Sequence, residues 1–500
     1  MTGVGRKIAK GAAWMVLFKL LERGIGLIST IILARLLLPQ DFGLIAMAMS
    51  IIAALELLHA FSFDLALIQK QQTTREHYDT AWSFNVIFGV LSASLLYLLA
   101  PIASAFYEEE RLQLVIYFLA IGMLITSLQN IGVVDFRKKM EFSKEFKWLL
   151  SRKIVAFVVT VSLAFTIKNY WALVAGMLAG KLTATILSYI MHPYRPRISF
   201  AASKELFSFS SWLLINNILF FLKIRSADFV IGKIAGGKDL GLFSVSYEIS
   251  NLPTTELIAP INRAVFPGYA TISKQLNELR HGFVNVLGVI MLFALPIGVG
   301  ISLTSVLFVP ILLGEKWLEI IPIIQVLAFF GVVSAMQTNI GSVFLALGNP
   351  RIITYMALLY VVILIPSLIY AVGNWGILGA AWTYLTVSVL TMPLSYHLVL
   401  KAINLSWTSI YLIFWRPAVA SIIMYFCVAN YLALYDYQSS ILVNIFGLLS
   451  SAIIGVVLYS TITLILWRLS GKPYGAESVV LDRLSNIRVK IIAQAVSRLM

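Results

Sequence analysis

Residues 14–49 read WMVLFKLLERGIGLISTIILARLLLPQDFGLIAMAM, and residues 212–247 read WLLINNILFFLKIRSADFVIGKIAGGKDLGLFSVSY. A constant offset of 198 aligns Trp14 with Trp212, Arg35 with Lys233, and Asp41-Phe42-Gly43-Leu44 with Asp239-Leu240-Gly241-Leu242. Each copy is a long apolar segment, a short turn (Leu38-Pro39-Gln40 in one, Ala235-Gly236-Gly237 in the other) and a second apolar segment. Such a pattern predicts one helical hairpin, used twice, opening each half of the chain.

Of the 500 residues, 60% are hydrophobic and only 12% are charged, which places the chain among multi-pass membrane proteins. The N-terminal Arg6, Lys7 and Lys10 run directly into an apolar segment too long for a signal peptide's hydrophobic region. Cys427 is the lone cysteine, which excludes a disulfide framework.

Fourteen segments are long enough to cross about 30 Å of hydrocarbon. They cover 12–36, 42–66, 80–104, 112–134, 150–167, 170–191, 207–235, 240–267, 282–308, 320–347, 352–371, 375–400, 412–434 and 441–467. With both termini in the cytoplasm, 26 of the 38 Lys and Arg residues fall on the inner side and only Arg111, Lys168, Lys238 and Lys316 on the outer. That asymmetry is the positive-inside rule, and it explains most of the net charge of +15 without nucleic acid. The expected fold is an all-α polytopic membrane protein. Its N-lobe is 1–205 and its C-lobe 206–402, six helices each and related as parallel repeats; a helix pair at 403–467 and a cytoplasmic basic tail at 468–500 follow. A second echo supports the repeat: Asn169-Tyr170-Trp171 opens the sixth segment and Asn374-Trp375 the twelfth. The connection from Asp135 to Lys153 mixes seven basic residues with Phe136, Met140, Phe142, Phe146 and Trp148, the composition of an amphipathic helix on an anionic leaflet. The tail reads likewise as a surface segment.

No phosphate-binding Gly-rich loop, zinc-ligand spacing or nucleophile elbow is present, so neither cofactor, metal nor catalytic residue is predicted. The informative residues are the ionisable ones inside the apolar segments, each costing about 3 kcal/mol to insert near a helix centre. In the first segment, Lys19 and Arg23 are four apart and share a face with Glu22 and Gly26. At 1.5 Å per residue from Gly11, Arg23 lies about 18 Å in, near mid-membrane. The second segment carries Glu56 and His59 on one face, with Asp64 near its inner end. The seventh carries Lys223 and Arg225, about 200° apart around a helix. Asp228, three residues on, is spaced to neutralise Arg225. The eighth carries Glu248, Asn251 and Arg263, and the sixth Lys181. Most of these charges sit in the repeated hairpins. If the hairpins face each other, they line a cavity that is positive on balance and suited to an anionic group, Arg in particular to a phosphate. The candidate substrate-binding residues are therefore Arg23, Lys19, Arg225, Lys223 and Arg263. Glu56, His59, Asp64, Asp228, Glu248 and Asn251 are candidates for ion coupling or cavity polarity. The structural alternative is that the charges pair with one another.

Three stretches carry a resemblance: Arg23-Gly-Ile-Gly-Leu-Ile-Ser-Thr-Ile-Ile-Leu-Ala-Arg35-Leu-Leu-Leu-Pro39-Gln-Asp-Phe-Gly43-Leu, Phe344-Leu-Ala-Leu-Gly-Asn-Pro-Arg351 and Gly373-Asn-Trp-Gly-Ile-Leu-Gly-Ala-Ala-Trp382. With the topology, they make the chain resemble the Wzx-type oligosaccharide flippases, the polysaccharide-transporter branch of the multidrug/oligosaccharidyl-lipid/polysaccharide exporter superfamily. The resemblance implies a two-lobed bundle working by alternating access. It also implies, as substrate, a polyprenyl diphosphate bearing an oligosaccharide, and a place in the bacterial inner membrane beside polysaccharide polymerase machinery. It puts Arg23 and Lys19 in the central cavity. Two other readings stand beside it. A proton- or sodium-coupled exporter of organic cations would depend on Glu56, Asp64 and Glu248 rather than Arg23. A membrane polysaccharide polymerase or glycosyltransferase would need larger external loops than this sequence has.

Overall fold

The computed structural model describes residues 3–57, 67–68, 73–203, 211–252, 259–434, 441–473 and 475–482, with side chains described except at 3–10, 12–13, 211–216 and 259–264. His59 and Asp64 lie outside the described residues, as does the side chain of Arg263.

All regular structure among the described residues is helical. The first repeat is α1 (Gly3–Leu36) and α2 (Pro39–Glu56), followed by α3 (Arg75–Tyr107), α4 (Arg111–Ser127) and the short α5 (Val134–Lys138). Next come α6 (Phe142–Ile167) and α7 (Trp171–Met191), then the second copy of the hairpin as α8 (Ser211–Ile234) and α9 (Gly236–Leu252). The rest is α10 (Ala259–Ile272), α11 (Leu276–Phe308), α12 (Ile321–Ala346), α13 (Pro350–Ala402), α14 (Trp407–Ala433) and α15 (Ile441–Leu469).

Nine of the described helices are long and apolar enough to cross a membrane, or ten if the pair Arg111–Ser127 and Ile131–Lys138, bent by 66°, is one crossing. The polytopic all-helical class is as expected, but fourteen is not the number that length and composition return. Two reasons are visible. Helix α13 carries the eleventh and twelfth predicted segments as one element, broken at Gly376, whose φ of 59° and ψ of −149° no helix contains. Helices α1 and α8 fail the test through their own interior charges: Lys19, Glu22 and Arg23 in the one, Lys223, Arg225 and Asp228 in the other.

The chain divides into two compact units, Met1–Ser244 and Val245–Met500. In the first, α6 packs on α7 and α1, α3 on α4, and α8 on α2. The turn between α1 and α2 is specified locally. Pro39 takes the first helical position, where its missing N–H costs nothing, and the Asp41 carboxylate accepts the Leu38 N–H at 2.9 Å. The two copies of this turn meet. A Cβ at Gly43 would overlap the carbonyl of Gly237, and a Cβ at Gly241 would overlap the carbonyl of Pro39. Because Pro39 aligns with Gly237 and Gly43 with Gly241, the contact is reciprocal, as a two-fold axis between copies requires. Around it, Tyr107 is hydrogen-bonded to Ser50 at 3.0 Å and fills the space beside Gly232.

The segment after α7 is irregular but bonded to α3 and the end of α4. Asp79 accepts the Arg197 N–H at 2.9 Å and the Tyr194 hydroxyl, Ser83 accepts the Ser199 N–H at 2.9 Å, and Asn130 donates to the Tyr194 carbonyl at 2.6 Å.

One sequence expectation is corrected here. The aromatic residues between Asp135 and Lys153 do not form an exposed apolar face: Phe136, Phe146 and Trp148 are buried, packed with Phe18 of α1 and Ala184 of α7. The Trp148 indole N–H donates to the Ala184 carbonyl at 2.9 Å. Trp148→Phe is therefore expected to lower stability by about 1 kcal/mol through the lost indole hydrogen bond, read as a fall in Tm. An unchanged Tm would contradict this packing. The start of the tail has Gly471, Lys472 and Asp482 exposed, while Ala476 and Glu477 are buried in the second unit. In that unit, α11 packs on α12, α14 and α15, and α12 on α13.

Candidate functional site

In the first unit the interior charges of α1 meet those of other helices. Lys19 and Glu22, one turn apart, pair at 2.6 Å. Arg152 of α6 lies in the field of Glu22, with its guanidinium 5.5 Å from the centre of the Trp148 ring. Lys181 of α7 lies in the field of Glu56 of α2, its stem against Gly122 of α4. Arg23 is half-buried, and positions 24 and 26 beside it have open space where a side chain would stand. These groups are four cations (Lys19, Arg23, Arg152 and Lys181) and two acids (Glu22 and Glu56), a positive balance held by four helices.

Trp14, near the start of α1, packs on Phe146 at 4.7 Å between ring centres. In α8, Arg225 pairs with Asp228 at 2.9 Å, the neutralisation their spacing suggested, while Lys223 is half-buried on another side of the helix. Glu248 and Asn251 belong to the second unit. Glu248 is exposed there, and Asn251 donates to the Tyr247 carbonyl at 3.0 Å.

Sequence reading placed Arg152 among the cytoplasmic charges, because the basic cluster before it set the start of that segment at residue 150. Helix α6 begins at Phe142 instead, which puts Arg152 about 15 Å along it. The burial of Phe146 and Trp148, a helical turn before it, was the missing signal.

Where α8 ends, Lys233 pairs with Glu108 at 2.8 Å. The hydrogen bond from Lys233 holds the Glu108 carboxyl below its ordinary range. A depressed acid contributes stability above its unfolded pKa and loses it as pH falls through the folded one. The difference in Tm between wild type and Lys233→Gln is expected to be small at pH 7 and to vanish at the acid end of a pH 3–7 series. A difference that grows on acidification would exclude the pair as its source.

The second unit has a cavity of about 570 Å³ between α11, α14 and α15. Leu292, Phe293, Pro296, Met424, Val428 and Val456 give it apolar walls, and Glu477, Val480 and Leu481 of the tail also line it.

Solved structures share the fold of this bundle. A solved structure of the lipid II flippase MurJ in an inward closed conformation superposes with a TM-score of 0.74 at 15% identity, covering 91% of this chain and 98% of that one. An inward-facing multidrug resistance MATE family transporter superposes at 0.60 and 12% identity, covering 77% and 95%. Residues 32–322 match the family described as polysaccharide biosynthesis protein, and the chain belongs to it. Lipopolysaccharide biosynthesis protein WzxC of Escherichia coli (strain K12) is 25% identical over 425 residues, 83% of this chain and 86% of the relative. Succinoglycan biosynthesis transport protein ExoT of Rhizobium meliloti (strain 1021) is 22% identical over 467 residues, 92% and 93% of the two chains. The resemblance read from the sequence is borne out.

Proposed function

We propose that this protein is a transporter, a flippase that moves polyprenyl-diphosphate-linked oligosaccharide units across the bacterial inner membrane for surface polysaccharide assembly, with both termini in the cytoplasm. The observation that carries this reading is the set of cations Lys19, Arg23, Arg152 and Lys181 inside apolar helices of the first unit, with Glu22 and Glu56 as the acids the described residues place beside them. A diphosphate crossing a low-dielectric region needs cationic partners, and guanidinium groups offer paired donors that match its oxygens. Lys19 is partly neutralised by Glu22 and Arg225 by Asp228, which lowers the share those two contribute. The sugar would pass through the hydrated interior while the hydrocarbon chain stays outside, between helices. Polymerase machinery would receive the product on the far side. A proton or sodium ion exchanged at Glu248 would couple the cycle to an ion gradient.

The deciding experiment is deletion of this protein in a strain that carries it and displays a surface polysaccharide. The expected result is lost display with lipid-linked units accumulating in the inner membrane, both restored by the wild-type chain. Undiminished display after deletion would overturn the reading and favour an exporter of organic cations.

A further inference from the structure

Arg416 of α14 and Glu477 of the tail form a two-point ion pair, Nε to Oε1 at 2.7 Å and Nη2 to Oε2 at 3.2 Å, with side chains 8% and 5% exposed. Burying such a pair removes both charges from water, so it is a poor way to anchor a tail compared with apolar packing. Of residues 475–482, Ala476 and Glu477 are buried and the others are half-buried or exposed, and the chain leading in turns through Gly471 and Lys472, both at positive φ. Glu477 is also part of the cavity wall. The guanidinium is therefore one carboxylate away from an apolar cavity. Phe293 and Val456 on the rim of that cavity are exposed on helix faces, so a hydrocarbon chain can enter sideways from a bilayer.

We infer that Arg416 and this cavity form a binding site for a lipid-borne diphosphate, hydrocarbon in the cavity and phosphate on Arg416, and that Glu477 is an internal stand-in the phosphate displaces. The fork that holds a carboxylate at two points holds a phosphate equally well. Displacement frees residues 475–482, so loading of the lipid and release of the tail are one exchange. A protein whose site is occupied by its own carboxylate binds ligand with an affinity reduced by the open fraction. This inference rests on the flippase reading for its ligand class.

The test uses the purified full chain in detergent and three probes: undecaprenyl diphosphate, undecaprenol and inorganic pyrophosphate. Glu477→Gln is expected to bind undecaprenyl diphosphate about tenfold more tightly than wild type, with undecaprenol unaffected. Adding Arg416→Gln should abolish the gain. Equal or weaker binding in a Glu477→Gln protein of unchanged Tm overturns the proposal, and so does an equal gain for pyrophosphate alone, which would make this a site for free anions. A second measurement covers a variant that fails to fold. In a Cys427→Ser background that keeps Glu477, maleimide labelling of Val479→Cys should accelerate severalfold on adding undecaprenyl diphosphate. An unchanged rate overturns the exchange. Loss of surface polysaccharide on deletion without any Glu477 effect sinks this site alone; the Glu477 effect with undiminished display sinks the transport reading alone.

Discussion

Valine at Gly241 is expected to leave little correctly assembled protein, and valine at Gly43 the same. At both positions even the first side-chain carbon falls on a backbone carbonyl of the other hairpin copy, Pro39 in one case and Gly237 in the other. A carbonyl on a helix end cannot swing aside as a side-chain tip can, so the two turns must separate. Overpacking alone costs about 1–3 kcal/mol, and loss of the surrounding contact, including Tyr107 against Ser50 and Gly232, adds to it. The monodisperse fraction after solubilisation and the Tm of what remains are the readouts. Gly24→Ala is the control, because nothing lies within 4 Å of the added carbon. Wild-type yield and Tm in Gly241→Val would mean that the copies do not pack turn against turn.

The second large effect is functional. Arg23→Ala is expected to reduce surface polysaccharide to below about a tenth of wild type at matched membrane abundance. One lost charge-assisted contact to phosphate is worth about 1.5–3 kcal/mol, and each 1.4 kcal/mol is a factor of ten in affinity. Lys181→Ala should follow in the same direction, and Lys19→Ala should do less, since Glu22 already holds that ammonium at 2.6 Å. Glu56→Gln is the opposing arm. It leaves the cations in place and relieves Lys181 of its acidic neighbour, so polysaccharide display should persist. Wild-type display in Arg23→Ala with failure in Glu56→Gln would sink the cationic route and favour coupling through acids.

Hydropathy, repeat spacing and charge asymmetry are properties of short windows, and what they dictate was readable along the chain. Alignment of Gly43 with Gly241 marked the repeated turn, and the insertion cost of a buried charge singled out Lys19, Arg23 and Arg225. The i, i+3 spacing of Arg225 and Asp228 anticipated their pair, because a helix turn alone brings them together. Partners far apart in sequence left no such trace. Nothing local tells that Arg152 meets the field of Glu22, that Lys181 meets Glu56, or that Trp148 turns inward to bond α7. Arg416 and Glu477 are 61 residues apart in sequence, and only the packing of the tail against α14 buries them together. By itself, then, the sequence determined the helical multi-pass class, the doubled hairpin and the helices that carry interior charge. Which of those charges are neutralised, which glycines touch and where the tail lies were decided by tertiary packing, because each depends on groups that only the folded chain brings within a few ångströms.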